Sequence, residues 1–280
     1  MINLFELHDQ VQDDLKFLVK SKIRLKILFS LLEGSKSMKE INEANNLSFA
    51  TISNNMKRLM EENLVKKVEN SFELTSFGNL KLDSIIDFQQ STNFSNKFED
   101  LLLGHDISGI PDFLIQEIGV FFDSELVQST PTDIYKTHNT FINLLTESEE
   151  IFGVSPISHP DYTVLFQDLL KIDVKSCLIL TDDIIKRTVA TADLKTLTSS
   201  ITNKNLELRR YSGDELKIAF TVADNFTSLG FFNDDGTYDQ NQDLVSKNKE
   251  AIDWTKRLFN YYYQRSEKVG ITNLAKIMVS

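Results

Sequence analysis

Short polar and basic side chains gather between residues 48 and 67 in a pattern suited to nucleic acid. Ser48, Ala50, Thr51, Ser53, Asn54, Lys57 and Arg58 fall within eleven residues, and Lys66 and Lys67 follow closely. Thr51, Ser53 and Asn54 have the reach for base edges and sugar-phosphate. Lys57 and Arg58 suit phosphate, and the arginine also suits guanine. Lys66 and Lys67 would reach the backbone or the minor groove. Groups that could catalyse lie elsewhere. His105-Asp106 and His159-Pro160-Asp161 invite acid–base or metal readings. Asp224-Asn225 and Asn233-Asp234-Asp235-Gly236 are rich in oxygen ligands but lack EF-hand spacing, and Asp-Gly after a strand is turn chemistry. A phospholipase D-like site needs His-x-Lys, and none of His105, His138 or His159 has a lysine two residues on. No P-loop, nucleotide-binding glycine pattern, nucleophile elbow or metalloprotease helix motif is present. These residues point to binding rather than catalysis, with no cofactor and no metal.

The elements that would position the basic cluster are legible from period and caps. A helix over roughly residues 3–18 places Leu4, Val11, Leu15 and Leu18 near heptad spacing. Ile23, Ile27, Leu28, Leu31 and Leu32 form the stripe of a second helix, closed by Gly34. Ser37 can cap a short helix bearing Met38 and Ile41, and Asn45-Asn46 supplies a turn tolerant of the left-handed conformation. Ser48 caps a fourth helix with Ile52, Met56 and Leu59 at i, i+4 and i+7, which leaves the polar and basic residues on its other faces. Asn63 ends it. A hairpin follows, Leu64–Val68 returning through Ser71–Leu74 around Glu69-Asn70, and Thr75 can cap a helix from Ser76 towards Gln90. Helix, helix, turn, helix, two-stranded wing, helix is the order of a winged helix-turn-helix. Lys20, Lys22, Arg24 and Lys26 form a second basic cluster, either flanking DNA or solvated at a helix start.

LSFATISNNMKRLMEENLVKK (residues 47–67) resembles the recognition-helix signature of archaeal and bacterial winged-helix regulators. FELTSFG (72–78) resembles the return strand of the wing and the start of the next helix. Further on, GHDISGIP, LKIAFTVADNFTSLGFFNDDGTYDQNQDLVS and AIDWTKRLFNYYYQRSEKV resemble the archaeal methanogenesis regulatory proteins of the filament-regulator type. The resemblance covers nearly the whole chain. It implies a cytoplasmic archaeal transcription factor with a sensor or interaction domain behind its DNA-binding head, and it carries no ligand-binding residue onto this sequence.

Phe94, Phe98 and Leu102 predict a connecting helix ending at Gly104, followed by a compact turn over 105–111. Beyond it, short β-type runs alternate with helical patterns. Strands are expected at 151–154, 176–180, 206–210, 216–222 and 227–232, and helices at 132–146, 162–171, 182–186, 194–200 and 246–264. The expected fold class is therefore α/β and multidomain. A winged helix-turn-helix (1–90), a connecting helix and turn (91–110) and an α/β regulatory domain with a mixed sheet (111–280) follow one another.

Composition sets the outer limits. With 280 residues, 41% hydrophobic and 25% charged, the chain can fill two globular cores. No run approaches the ~18 apolar residues of a membrane span. Asp9, Asp13 and Asp14 stand where an export signal would need an apolar core, and the lone Cys177 sits in an apolar run, so a cytoplasmic protein is expected. The net charge of -11 is unevenly spread: residues 1–90 carry -1 and residues 91–280 carry -10. Strong non-specific DNA binding is thereby excluded. Affinity must come from a localised basic surface, doubled by homodimerisation. The expected partners are double-stranded DNA, a second copy of the chain and a small-molecule effector. The rival reading is a protein-interaction or ligand-sensing adaptor whose winged helix does not bind DNA.

Overall fold

The computed structural model describes residues 3–172, 174–213 and 216–271, and it divides the chain into Met1–Gln89 and Gln90–Ser280. In the first unit the helix starts are fixed by side-chain caps. Asn3 accepts from Phe5 N–H at the head of α1 (Leu4–Val19), and Ser21 accepts from Arg24 N–H at the head of α2 (Lys22–Leu31). A short β1 (Lys36–Ser37) leads into α3 (Met38–Asn45), where Ser37 and Glu40 form a reciprocal capping box. Asn46, at φ 52°, takes the left-handed turn that asparagine tolerates. Ser48 then opens α4 (Phe49–Glu61), its Oγ accepting from Thr51 N–H at 3.2 Å.

Asn63, at φ 58°, ends that helix and starts the hairpin of β2 (Val65–Val68) and β3 (Ser71–Leu74). The hairpin is antiparallel, its turn uses Glu69 at φ 53°, and β1 adds to the far side of β3. Thr75 locks the hairpin to the next helix, α5 (Ser76–Lys97). Its Oγ1 accepts from Gly78 N–H at 2.9 Å and donates to the Asn63 carbonyl at 2.6 Å. The sequence suggested a break after Gln90. Residues 90–97 contain neither Gly nor Pro, and α5 continues to Lys97 before the chain turns at Phe98 into α6 (Glu99–Gly104).

The second unit is built on one mixed sheet. Its elements run β4 (His105–Asp106), α7 (Asp112–Ile115), a 3-10 turn (Ile118–Phe121), β5 (Glu125–Gln128), α8 (Lys136–Thr146) and β6 (Glu150–Ser155). They continue with α9 (Pro160–Lys171), β7 (Lys175–Leu180), α10 (Asp182–Thr191), α11 (Leu194–Thr202) and β8 (Leu206–Tyr211). The last are β9 (Ile218–Ala223), β10 (Thr227–Asn233), β11 (Gln242–Ser246), α12 (Lys249–Tyr263) and β12 (Ser266–Lys268). Strand order is β12-β8-β7-β6-β9-β10-β11-β5, with β4 also pairing β10. β6, β7 and β8 are parallel, joined by helices, and every other pairing is antiparallel.

Alternation along the strands sends neighbouring residues into different cores. Cys177 and Ile179 of β7 join the core under α12, while Leu180 joins the one under α10 and α11. Within the α12 core, Trp254 packs edge-on against Phe121 at 5.1 Å and donates its indole N–H to the Leu114 carbonyl at 2.9 Å. The helix expected from Ser246 begins at Lys249, because Gln242–Ser246 pairs with β10 as a strand. Asn248 caps it instead. β5, β11 and β12 were not foreseen: their runs are short and polar, and pairing decides them.

Gly78 is where hairpin and helix approach most closely. A Cβ there would stand 2.1 Å from the Leu64 carbonyl oxygen. Gly78→Ala should therefore lower the stability of the N-terminal unit by about 2 kcal/mol, read as a drop in melting temperature of residues 1–97 or of the whole chain. An unchanged melting temperature would show that the Leu64 backbone yields freely.

Candidate nucleic-acid interface

The rotation of α4 follows from its apolar stripe. Ile52, Met56 and Leu59 are fully buried against Ile27, Leu28 and Ile41, each contributing roughly 2 kcal/mol of burial. With that face sealed, Ser48, Ala50, Ser53, Asn54, Lys57 and Arg58 are exposed and Thr51 is half-buried. Thr51 and Ser48 share a hydrogen bond between hydroxyls at 2.8 Å, so one hydroxyl hydrogen remains to be directed outwards from the pair. Asn55 spends its amide on the Thr51 carbonyl. Nine sequence-predicted residues thus lie on the outer faces of α4 and on the hairpin, seven and two respectively.

Their charges are not all equally available. Lys57 lies 4.0 Å from Glu61, with both groups well exposed, a pairing that water and salt loosen readily. Lys66 meets Glu73 at 2.8 Å directly across the hairpin. Lys67 sits opposite Phe72 and is exposed. Arg58 is close enough to Arg24 for the two positive charges to act on each other. Burial, and then Arg58, lower the Arg24 pKa from the ordinary arginine value.

Two residues correct the reading of the sequence. Arg24, placed in the second basic cluster, is half-buried and tied to α1 rather than simply solvated at a helix start. Its guanidinium stacks on the Phe17 ring at 4.2 Å and donates to the Phe17 carbonyl at 2.9 and 2.6 Å. It satisfies an end carbonyl of α1. Phe49 was overlooked. It keeps phase with Ile52 and Met56, which reads as core, yet it overhangs the end of the apolar contact and is 53% exposed. Its position directly after the Ser48 cap was the available signal.

Several polar groups of the second unit that invited catalytic readings make hydrogen bonds within the fold. His105 is buried, with Nδ1 2.9 Å from the Leu101 carbonyl and Nε2 3.2 Å from Asp239. Asp106 accepts from Lys217 at 2.8 Å and from Ser108 N–H at 2.8 Å. These bonds hold its carboxyl down at about 2. The ring of His159 lies 4.4 Å from that of His138. Asp224 accepts from the backbone of Glu149 and Glu150, and Asp235 from Thr237 in its turn. Burial pushes the Cys177 thiol up to about 12, far from a reactive thiolate. Among the described residues no group of three or more His, Cys, Asp and Glu could hold a metal ion, and no helix is long and apolar enough to cross a membrane.

Fold and site together define a winged helix-turn-helix followed by an α/β unit on a mixed sheet. Residues 12–89 match the N-terminal domain, and residues 134–265 the middle domain, of the methanogenesis regulatory protein FilR1. The chain belongs to this family of methanogenesis regulatory proteins. It is 24% identical over 270 residues to methanogenesis regulatory protein FilR1 of Methanothrix harundinacea, a match covering 95% of this chain and 60% of that relative's length. Among solved structures it is similar to TrmBL2, an archaeal chromatin protein, at 14% identity and a TM-score of 0.42, covering 92% of this chain and 99% of that one. It is also similar to a phosphatidylserine synthase of Haemophilus influenzae, at 11% identity and a TM-score of 0.40, over 52% of this chain and 39% of the other.

Two measurements follow. Arg24→Ala should destabilise the N-terminal unit by about 1–2 kcal/mol, whereas Lys57→Ala should stay within about 0.5 kcal/mol, both read by thermal unfolding. Equal effects would remove the distinction between the pinned and the offered cation. The second concerns Asp106, whose carboxyl pKa is depressed. Its stabilisation is present above about pH 4 and is lost as pH falls towards 2. Asp106→Asn should flatten that part of the stability-versus-pH curve, and an identical acid limb in both proteins would show that the Lys217 pair adds nothing.

Proposed function

We propose that this protein is a sequence-specific DNA-binding transcriptional regulator. It works without catalysis, as a homodimer, and its second unit responds to an intracellular ligand. The observation that carries the reading is the division of α4 into a sealed apolar face and an exposed face bearing Ser53, Asn54, Lys57 and Arg58 beside a basic hairpin. Membership of a regulatory family supports it. In this reading α4 enters the major groove. Asn54 and Arg58 meet base edges, Thr51, Ser53 and Lys57 meet base edges or backbone, and Lys66 and Lys67 follow phosphate or minor groove. Ala50 leaves room for close approach, and Ser48 presents the N-terminus of α4, whose free N–H groups favour phosphate.

Exposed apolar side chains on two helices support the homodimer. Leu4 and Phe5 on α1, and Leu80 and Phe88 on α5, stand largely in solvent in the single chain. Two such heads would require half-sites about 34 Å apart, or a multiple of that spacing. Ligand control then works by linkage: a ligand that prefers one arrangement of the dimer changes operator affinity by the same preference. The adaptor reading draws on the acids beside the cations, since Glu61 and Glu73 compensate Lys57 and Lys66.

The test is selection of fragmented genomic DNA by the purified protein, repeated with an Asn54→Ala/Lys57→Glu variant. A two-fold symmetric motif retained by the parent and lost in the variant is expected. Log K should fall with log salt by about 0.9 per phosphate contact. No retained motif at low salt, or affinity indifferent to salt, would leave the adaptor in possession.

A further inference from the structure

The second unit contains a cavity of about 130 Å³ between its sheet and the helices α9 to α11. Small side chains open it. On the sheet floor Gly153 of β6 stands opposite Thr221 of β9, which pairs with Ser228 of β10, while Ala219 pairs with Gly230. Period-2 alternation sends these residues to one face and Val154, Phe220 and Leu229 to the other, into the α12 core. A floor of glycine, alanine, serine and threonine cannot fill the space under the helices. The rest of the lining is largely apolar, including Leu178 and Leu180 of β7, Leu208 of β8, Leu197 of α11, Phe141 and Phe166.

One charged group lies in this lining. Asp243 of β11 keeps partial accessibility as a residue, but dense protein around its carboxyl withholds bulk water, and burial pushes its pKa up to about 7. Tyr238 donates to its Oδ1 at 3.4 Å, and Ser228 supplies another hydrogen bond. Gly230 makes the arrangement possible: a Cβ there would fall 2.1 Å from the Tyr238 hydroxyl and 2.9 Å from Asp243 Oδ1. The nearby Asp239 carboxylate, hydrogen-bonded to His105 and Gln242, adds a second negative charge to the field at Asp243. His159 is the other titratable group of the lining besides Tyr238 and Asp243, and no lysine or arginine appears among the described lining residues.

An apolar chamber whose single acid has no lining lysine or arginine to answer it favours a cation with a hydrocarbon body. A space of this order holds a benzene-sized ring. We propose that the cavity binds a small apolar amine, its ring or short alkyl body against the apolar lining and its ammonium group paired with Asp243. The physiological role of the site rests on the ligand-sensing reading above; binding itself does not. One end of the cavity reaches the carboxyl end of a parallel strand, the side of an open α/β sheet on which ligands generally bind. β6 is that strand: it runs parallel to β7 and antiparallel to β9, and Ser155, Ser158 and His159 at and after its end line the cavity.

The test is calorimetric titration of the full chain at pH 8, above the Asp243 value, with three probes of similar size. Phenethylamine should bind on the order of tenfold or more tightly than 2-phenylethanol, and 3-phenylpropionate should not bind. Asp243→Asn should reduce the amine to the level of the alcohol and leave the alcohol unchanged, which also shows that the variant is folded. If that variant does not fold, the ranking of the probes by the parent protein decides. Equal or tighter binding of the alcohol or the acid overturns the proposal, as does an Asp243→Asn variant that binds the amine unchanged. Amine binding that leaves DNA affinity unaltered would sink the sensing reading and keep the site. A cell extract that shifts DNA affinity while no amine binds would do the reverse.

Discussion

Burial of Ile52, Met56 and Leu59 is the contact on which the candidate interface depends. A helix advances 100° per residue, so three buried positions at i, i+4 and i+7 leave α4 one rotational setting. That setting decides which side chains are offered outwards. Asn54 and Lys57 reach solvent because their neighbours in the stripe are sealed against α2 and α3. The caps then fix where the helix begins. Ser48 holds the Thr51 amide, and Asn46, in the left-handed region just before it, turns the chain from α3 into α4. At the other end Asn63 and Thr75 tie the hairpin to helix ends on both sides, so the lysines of the wing are carried by a braced element rather than by a loose loop.

These features were legible because each is local. A serine before an apolar stripe, an asparagine at a helix end and an alternating run around Glu69-Asn70 speak through neighbours a few residues away. Arg24 shows where locality ends. Its partner, the Phe17 carbonyl, lies only seven residues off, but across a change of helix, and a basic side chain in sequence carries no mark of being used up. Phe49 fails for the opposite reason. Its phase is that of the core, and only the finite length of the contact leaves it outside.

In the second unit β7 and β9 announced themselves as compact apolar runs, since most or all of their residues are buried. β11 did not. Gln242-Asp243-Leu244-Val245-Ser246 alternates, with Leu244 buried in the α12 core and Asp243 on the cavity side, but its polar half reads as turn. Strand order was out of reach because it is set by pairings across the whole unit. The cavity was hidden for the same reason. Gly153, Thr221, Ser228 and Gly230 are unremarkable in three separate segments, and become a single floor only when register places them side by side.

Charge is arranged on the same principle of distance. The second unit carries most of the excess acid, yet many of its charged side chains are already committed to one another. Asp106 holds Lys217, Glu117 holds Arg257, and Arg209 lies over Tyr263 while bonding Glu207. Such pairs cancel within a few ångströms and contribute little to the field beyond the ~8 Å over which physiological salt screens charge. The net charge of the whole chain therefore says less about a nucleic-acid interface than the few groups within that distance of it. Around α4 these include Arg58 and Lys57, with Arg24 beside Arg58 and Glu61 against Lys57. In the proposed DNA-binding reading, such a local balance would give only modest attraction for phosphate in general, and would leave Asn54, Thr51 and Ser53, with Arg58, to decide which sequence is held.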